Sequence, residues 1–233
     1  MFTVTSNAVR KAALTLLGAA LILGLATALA NAAFAARAHT DPPGMVGDPA
    51  AAATYWHQQT LDDCGLMAAA AVVGQVTGRE VAEPEIIAVA QTLPSHVHAG
   101  PVYAAPADVA DANRTGRGTH PRDLPTVLAR YGIGAAFTAG GGLDALERYL
   151  AGGHKIIVGV NAELIWGLPV ESTDGYGNPA ADHAVVVTGV DTATRQVHLS
   201  DSGTPFGKDE TVAIEAFAKS WAASGDSMIV TQR

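Results

Sequence analysis

The sequence predicts an α+β domain in which a helical first half packs on an antiparallel β-sheet formed by the second half. Capped, helix-favouring runs lie between residues 63 and 150, whereas short β-branched runs separated by turn residues lie between 155 and 231. With 48% apolar and 15% charged residues, the chain has enough apolar material for one well-buried domain of about 190 residues. A helical part followed by a strand-rich part predicts a cleft between the two.

Residues 1–38 are typical of an export signal or a single N-terminal membrane anchor. Arg10 and Lys11 precede an uncharged run over 12–36, and small-residue cleavage sites such as 30–32 and 36–38 lie within and after it. The run is also long enough to span a bilayer, so a cleaved leader and a retained anchor both remain possible. Either route predicts an extracytoplasmic domain that contacts the membrane only through this segment.

Residues 39–53 are rich in Pro, Gly, Asp and Ala and show no periodicity, which predicts a linker. The folded domain is expected over 54–233. No repeat of 20 to 50 residues is present in the sequence.

The predicted helices each have a plausible start or stop signal. The first begins near Asp63, with Asp62 or Asp63 able to cap it, and ends at Gly78. It is apolar enough to be almost wholly buried. Proline and acidic residues favour the start of the second. The expected helices cover 63–77, 83–93, 119–131, 143–150 and 214–223.

The strands are predicted from short runs rich in Val, Ile and Thr, and the segment before them is predicted to be irregular. Residues 94–117 mix Pro, Gly, His and Asn without a period, which indicates a long surface excursion able to border the cleft. The expected strands cover 155–160, 184–190, 196–200 and 228–231.

Cys64 is the single cysteine of the chain, so it forms no internal disulfide. It is either a small buried apolar residue or a reactive thiol. Its predicted place in the first turn of a helix favours the thiolate form, and its amide is one of the unpaired donors at a helix start. A second donor for an oxyanion is expected from Gln58, with Gln59 as the close competitor.

A histidine and an aspartate are expected to meet at one end of a β-hairpin. His183 precedes the strand 184–190, and Asp201 follows the strand 196–200. If these strands pair through a turn at 191–194, both residues lie at the end far from the turn. Cys64, His183 and Asp201 then form a nucleophile, a base and a residue that orients the base.

The residues Gln58, Cys64-Gly65, His183 with the apolar run after it, and Asp201 within Leu-Ser-Asp-Ser-Gly resemble the family-39 cysteine peptidases. These are the bacteriocin-processing leader peptidases and their stand-alone relatives. The resemblance covers about 56–231 and implies a papain-like fold. It also implies Cys64 as nucleophile, His183 as general base and acid, Asp201 as the orienting residue and Gln58 as the oxyanion donor.

The expected function is therefore hydrolysis of peptide or related amide bonds through a thioester on Cys64, with a peptide or protein as substrate. Two alternatives remain: a catalytically silent peptide-binding module, and a thioester-dependent acyl or amine transferase. The four filled positions favour an active enzyme over a silent module. The sequence does not distinguish water from an amine as the acceptor.

Other ligand classes are not expected. A formal charge of −8 argues against binding of nucleic acid phosphates. His96, His98 and His120 lack the Cys or carboxylate partners of a zinc motif, so neither a metal nor another cofactor is expected. The three tryptophans, Trp56, Trp166 and Trp221, are expected to pack in the core.

Overall fold

The computed structural model describes residues 44–105 and 118–232. The predicted export signal or anchor, the first part of the predicted linker and the second part of the 94–117 excursion lie outside these residues. Within them, no helix is both long enough and apolar enough to cross a bilayer.

The described part of the chain contains seven α-helices and a seven-stranded antiparallel sheet. Short 3-10 turns lie at Ala53–Tyr55 and Pro121–Asp123. The helices are α1 Pro49–Ala52, α2 Cys64–Thr77, α3 Glu83–Thr92, α4 Leu124–Ala129, α5 Gly142–Ala151, α6 Ala162–Trp166 and α7 Ile214–Ala222. The strands are β1 Met45–Gly47, β2 Ala135–Thr138, β3 Ile156–Val160, β4 His183–Asp191, β5 Gln196–Ser200, β6 Lys208–Ala213 and β7 Met228–Thr231.

The strands are ordered β2-β7-β3-β4-β5-β6, and β1 pairs with the end of β4. Most of the sheet comes from the second half of the chain, and the longest helix comes from the first half. The predicted α+β class is confirmed.

The central strand β4 separates two apolar cores because its side chains alternate between the two faces of the sheet. Ala184 and Val186 belong to the core that contains α2, α3 and α4. Val185 and Val187 belong to the core on the other face, which α5 and α7 cover. Burial on both faces explains why this strand is a continuous apolar run rather than an alternating one.

Helix α2 is buried from Gly65 to Gly74, as its sequence predicts, whereas Val76 and Thr77 in its last turn are exposed. It ends at Gly78, which has a φ of +74° and lies in the left-handed conformation that glycine adopts without strain. Gly74 allows close packing: a Cβ there would lie 2.4 Å from Cδ1 of Tyr55. The helix is thereby held in one position, with its first residue at the end of the sheet where β4 begins.

The linker prediction is wrong for residues 45–53. Met45–Gly47 pairs with Gly189–Asp191 of β4, and α1 begins at an Asp48 side chain that accepts a hydrogen bond from the Ala51 amide. A three-residue strand is too short to show a periodicity in sequence. The folded domain therefore begins earlier than position 54.

The excursion predicted over 94–117 is partly internal. Val102 and Tyr103 are fully buried in the α2 core, and Pro94 forms an isolated bridge with Pro101. Strands β2 and β6 and helix α6 were missed by the sequence patterns. The β6 segment, Lys-Asp-Glu-Thr-Val-Ala, is too polar to resemble a buried strand, and it lies at the edge of the sheet.

Candidate active site

Cys64 is the first residue of α2, and its side chain is only partly buried. The amides of Leu66 and Met67 donate to the Asp63 carbonyl at 2.8 and 3.0 Å. The preceding amides, those of Cys64 and Gly65, have no acceptor within the helix. A partly accessible thiol thus lies beside the positive end of a helix.

The β4–β5 hairpin brings His183 next to Asp201. Asp191 pairs with Gln196 beside the turn, and Val186 pairs with Ser200 at the other end. His183 begins β4 and Asp201 directly follows β5, so both lie at the end away from the turn. Nε2 of His183 is 2.6 Å from Oδ1 of Asp201.

The Cys64 side chain neighbours the His183 ring and interacts with it electrostatically. Because Asp201 occupies Nε2, Nδ1 is the ring nitrogen that remains for the sulfur. Burial by itself would lower the pKa of His183, but the bond to Asp201 and the neighbouring Cys64 outweigh it and raise the pKa to about 10. The imidazolium form is therefore favoured beside the thiol.

Asp201 is fully buried, and its carboxylate and carbonyl oxygens accept four hydrogen bonds, the one from His183 included. Its Oδ1 also accepts from the Gly203 amide at 2.7 Å, and its Oδ2 accepts from Nε1 of Trp166 at 3.1 Å. Its carbonyl accepts from Nε1 of Trp56 at 2.6 Å. Burial opposes ionisation of this carboxyl, but the bonds from His183, Gly203 and Trp166 outweigh it and lower its pKa.

Trp166 has a larger role than the core packing predicted for it. Besides its bond to Asp201, its ring lies 5.5 Å from the His183 ring, centroid to centroid, at a 53° angle. Trp221, by contrast, packs in the core and donates to the Ser227 carbonyl. No sequence signal separates these two tryptophans, because which acceptor an indole meets depends on the tertiary fold.

The two candidate glutamines lie in different surroundings. Gln58 is exposed and lines a pocket of about 440 Å³ with His57, Met67 and residues 80–83 and 85, a lining that includes neither Cys64 nor His183. Gln59 is partly buried against the residue that follows Asp201. The backbone amide of Gln59 donates to the Ser202 carbonyl at 2.9 Å, and the side-chain Oε1 accepts from the Ser202 hydroxyl at 2.7 Å.

The pocket that Gln58 lines does not include Cys64, and the prediction that Gln58 supplies the second oxyanion donor stays a prediction. Gln59, the competitor, is the glutamine that the fold attaches to the Asp201 segment. The side-chain Nε2 of Gln59 carries two hydrogens. One is donated to the Leu61 carbonyl at 2.9 Å, and the other takes no part in that bond.

A second acidic group, Asp63, lies directly before the nucleophile. Its side chain is buried, and burial together with the nearby Glu83 raises its pKa to about 8. Glu83 is itself held by the Thr60 amide and hydroxyl at 2.6 and 2.7 Å. Near neutral pH the Asp63 carboxyl is consequently mostly protonated.

The histidines considered as metal ligands have other partners. Nε2 of His96 lies 3.0 Å from the Thr126 hydroxyl, and Nδ1 of His120 accepts from the Arg122 amide. In the ranges 44–105 and 118–232, no three His, Cys, Asp or Glu side chains are grouped to hold a metal ion.

A shallow pocket of about 260 Å³ adjoins the His183–Asp201 pair. Trp166 and Gly203, which contact the His183 ring, form part of its wall. Leu168, Thr204 and Pro205 complete it, so the wall is mainly apolar.

A thiol at a helix start, facing an imidazole that an aspartate holds at the end of an antiparallel sheet, is the arrangement of papain-like cysteine peptidases. The sequence matches the model of the Peptidase_C39 like family over residues 50–229, and the chain belongs to that family. The resemblance noted from the sequence is confirmed, and with it the papain-like fold.

The curated relatives include uncharacterized proteins of Mycobacterium tuberculosis and Mycobacterium bovis. Each is 57% identical over 196 residues, which cover 80% of this chain and 84% of the relative. Among solved structures, a Bacillus anthracis protein described as C39-like superposes with a TM-score of 0.57 at 18% identity. That match covers 78% of this chain and 96% of the other.

Proposed function

We propose that this protein is a cysteine peptidase that cleaves peptide bonds through a thioester on Cys64. One observation supports the proposal most strongly: the buried Asp201 holds His183, with 2.6 Å between Nε2 and Oδ1, and the same ring neighbours the Cys64 thiol. An imidazole held in this way is aligned to exchange a proton with the thiol. A peptide or protein substrate is in keeping with the family.

The proposed reaction is acyl transfer in two stages. The Cys64 thiolate adds to the carbonyl carbon, and the carbonyl electron pair moves to oxygen. When this oxyanion collapses, the C–N bond breaks and the His183 imidazolium protonates the leaving amine. In the second stage neutral His183 takes a proton from water, the resulting hydroxide adds to the thioester, and the thiolate leaves.

The oxyanion requires donors at the point where its charge develops. We assign these to the Cys64 amide and to the free Nε2 hydrogen of Gln59. The Ser202 hydroxyl fixes Gln59 Oε1, which leaves the amide nitrogen turned away from Ser202. Asp201 takes no proton in this scheme; it fixes the ring so that Nδ1 faces the sulfur.

The apolar pocket bordered by Trp166 and Leu168 suits an uncharged substrate side chain. It borders His183 through Trp166 and Gly203, and Leu168 in its wall is 54% exposed. An exposed leucine beside a reactive group supports binding of an apolar residue near the scissile bond.

We also propose an extracytoplasmic site of action, on the basis of the basic, apolar and small-residue pattern of residues 1–38. Expression of the full chain in an actinobacterial host, followed by fractionation and mass determination of the mature N-terminus, tests this. Recovery in the cytosolic fraction with residues 1–38 intact would contradict it.

The activity is tested by alkylation of Cys64 with iodoacetamide across pH, because Cys64 is the only thiol of the chain. We expect wild-type Cys64 to react faster than free cysteine near pH 6, and His183→Ala to lose this advantage.

A peptide library, with cleavage products identified by mass, then measures hydrolysis, with Cys64→Ala as the inactive control. Added glycinamide distinguishes water from an amine as the acceptor, since aminolysis leaves a heavier product. A wild-type thiol no more reactive than free cysteine would overturn the proposal.

A further inference from the structure

A second carboxyl group lies behind the His183–Asp201 pair. Glu210 is on the edge strand β6, where it pairs with Leu199 of β5. The β5–β6 register shifts between Leu199 and Ser200, because Ser200 pairs with Lys208 and leaves Asp209 as the extra residue. Asp209 has a φ of +58°, the left-handed conformation that residue 1 of a G1 bulge adopts and that Asp tolerates better than most residues. Because Glu210 pairs with Leu199, two residues before Asp201, its side chain lies on the same face of the sheet as that of Asp201, and the two carboxyls interact electrostatically.

Two carboxylates in contact repel each other, so a hydrogen bond between them requires a proton on one of the two. Asp201 is the ionised partner, because it accepts from His183, Gly203 and Trp166. Oε2 of Glu210 is buried and faces no N–H or hydroxyl donor among the described residues. The proton between these two groups therefore resides on Glu210.

The acceptor capacity of Asp201 matches this arrangement. A carboxylate oxygen has two lone-pair sites. Oδ1 uses both, for His183 Nε2 and the Gly203 amide, whereas Oδ2 uses one, for Trp166 Nε1. One site on Oδ2 remains for a hydroxyl donor, and Glu210 is the acid that interacts with this carboxylate.

We propose that Glu210 is a positioning residue whose protonated carboxyl donates to Asp201 and holds that carboxylate in line with His183. The inference deepens the proposed function and rests on it, because the pair that Glu210 supports is the one assigned to catalysis. Glu210 contacts neither Cys64 nor a substrate in this scheme, and it acts only through Asp201.

The pKa of Glu210 supports this role. Burial is the largest cause that raises the pKa of Glu210 to about 7, and the Asp201 charge is the next, whereas the charge of His183 lowers this pKa. Other charged groups on or packed near β6 have their own partners or are exposed. On β6, Lys208 is exposed and Asp209 pairs with His198. On α7, Glu215 pairs with Arg195 and Lys219 is exposed.

Loss of the Glu210 proton leaves two negative charges beside one imidazole. Repulsion then favours movement of Asp201 away from Glu210, and the added charge stabilises the imidazolium further. The rate of Cys64 alkylation in the wild-type protein should therefore change near pH 7. This change originates in the ionisation of Glu210, which alters the interaction between Cys64 and His183.

Glu210→Gln tests the proposal because an amide keeps the shape and a donor but does not titrate. We expect Glu210→Gln to keep at least about a third of the low-pH rate of Cys64 alkylation and to lose the ionisation near pH 7. Glu210→Ala, which lacks the donor, should lower that rate at least about tenfold. Glu215→Gln, which removes an exposed acid paired with Arg195, is the matched control and should leave the profile unchanged.

A direct titration provides the second measurement. In protein labelled with ¹³C at glutamate side-chain carboxyls, the resonance absent from Glu210→Gln should titrate near pH 7. If it titrates near the ordinary glutamate value, or if Glu210→Gln keeps the pH 7 ionisation, the proposal is wrong. These outcomes are distinct from failure of the proposed function, in which wild-type Cys64 itself reacts like free cysteine.

Discussion

Trp166 donates its indole N–H to Oδ2 of Asp201 at 3.1 Å, while its ring lies against the imidazole that Asp201 orients. A single side chain at the end of α6 therefore contacts both members of the His–Asp pair. Asp201 keeps its ionised form in a buried position because several donors face it at once.

Removing only the indole N–H of Trp166 should weaken the support of the His183–Asp201 pair. Trp166→Phe keeps an aromatic ring beside His183 but leaves Oδ2 without the indole N–H. Since a hydrogen bond to a charged group contributes about 1.5–3 kcal/mol, we expect kcat/KM and the low-pH alkylation rate to fall about tenfold to a hundredfold.

The matched control for this change is Trp221→Phe, which removes an indole bond to the Ser227 carbonyl in the core. It should lower the free energy of unfolding by about 1–3 kcal/mol and leave the alkylation profile in the folded protein unchanged. Equal effects of the two substitutions on alkylation would contradict the role given to Trp166.

Gly203→Ala should displace the imidazole. A Cβ at this position would lie 2.9 Å from Cε1 of His183 and 3.1 Å from Cζ2 of Trp166, closer than carbon atoms pack without a shift. We expect hydrolysis and low-pH alkylation to fall at least about tenfold, measured alongside circular dichroism to verify folding. Gly175→Ala is the control, because a Cβ there meets no atom within 4 Å. Full activity of Gly203→Ala would show that the His183 position tolerates this crowding.

The two glutamines should differ in their effect on turnover. Gln59→Ala removes the proposed oxyanion donor, and we expect kcat to fall by about 10²–10³ with a smaller change in KM. Gln58→Ala changes an exposed side chain and should stay within about threefold of wild type. Steady-state kinetics on a peptide found by the library screen gives both values. The reverse ranking would restore Gln58 as the donor.

Asp63 should make stability depend on pH. Its pKa is raised from 3.8 to about 8 in the folded protein, so between these values the folded state binds more protons than the unfolded state. The contribution of Asp63 to stability is therefore complete below about pH 4 and is lost as pH rises towards 8. His183 and Glu210, whose pKa values are also raised, act in the same direction, so the test compares variants.

We expect Asp63→Asn to unfold in urea with a midpoint that falls less than that of wild type between pH 5 and pH 8.5. Asp62→Asn changes the exposed neighbouring acid, whose charge adds least to the raised pKa of Asp63, and should keep most of the wild-type dependence. If the urea midpoint of Asp63→Asn falls with pH as much as that of wild type, groups other than Asp63 cause the loss of stability.

The sequence by itself determined the class of the fold and the principal members of the site. An apolar run ending at Gly78 located α2, and β-branched runs located the hairpin strands, because these elements depend on local patterns. The Asp63 side chain predicted as a cap makes no capping hydrogen bond. The pairing of His183 with Asp201 could be predicted because a hairpin with a short turn leaves little freedom in register.

Only the tertiary structure decided which groups surround that pair. The choice between Gln58 and Gln59 depends on the direction of adjacent side chains in a non-helical segment, which no periodicity specifies. The roles of Trp166 and Glu210 depend on contacts over 35 and 9 positions in sequence, the second through a bulge in an edge strand. Such contacts follow from how the elements pack, whereas a local pattern specifies only the elements themselves.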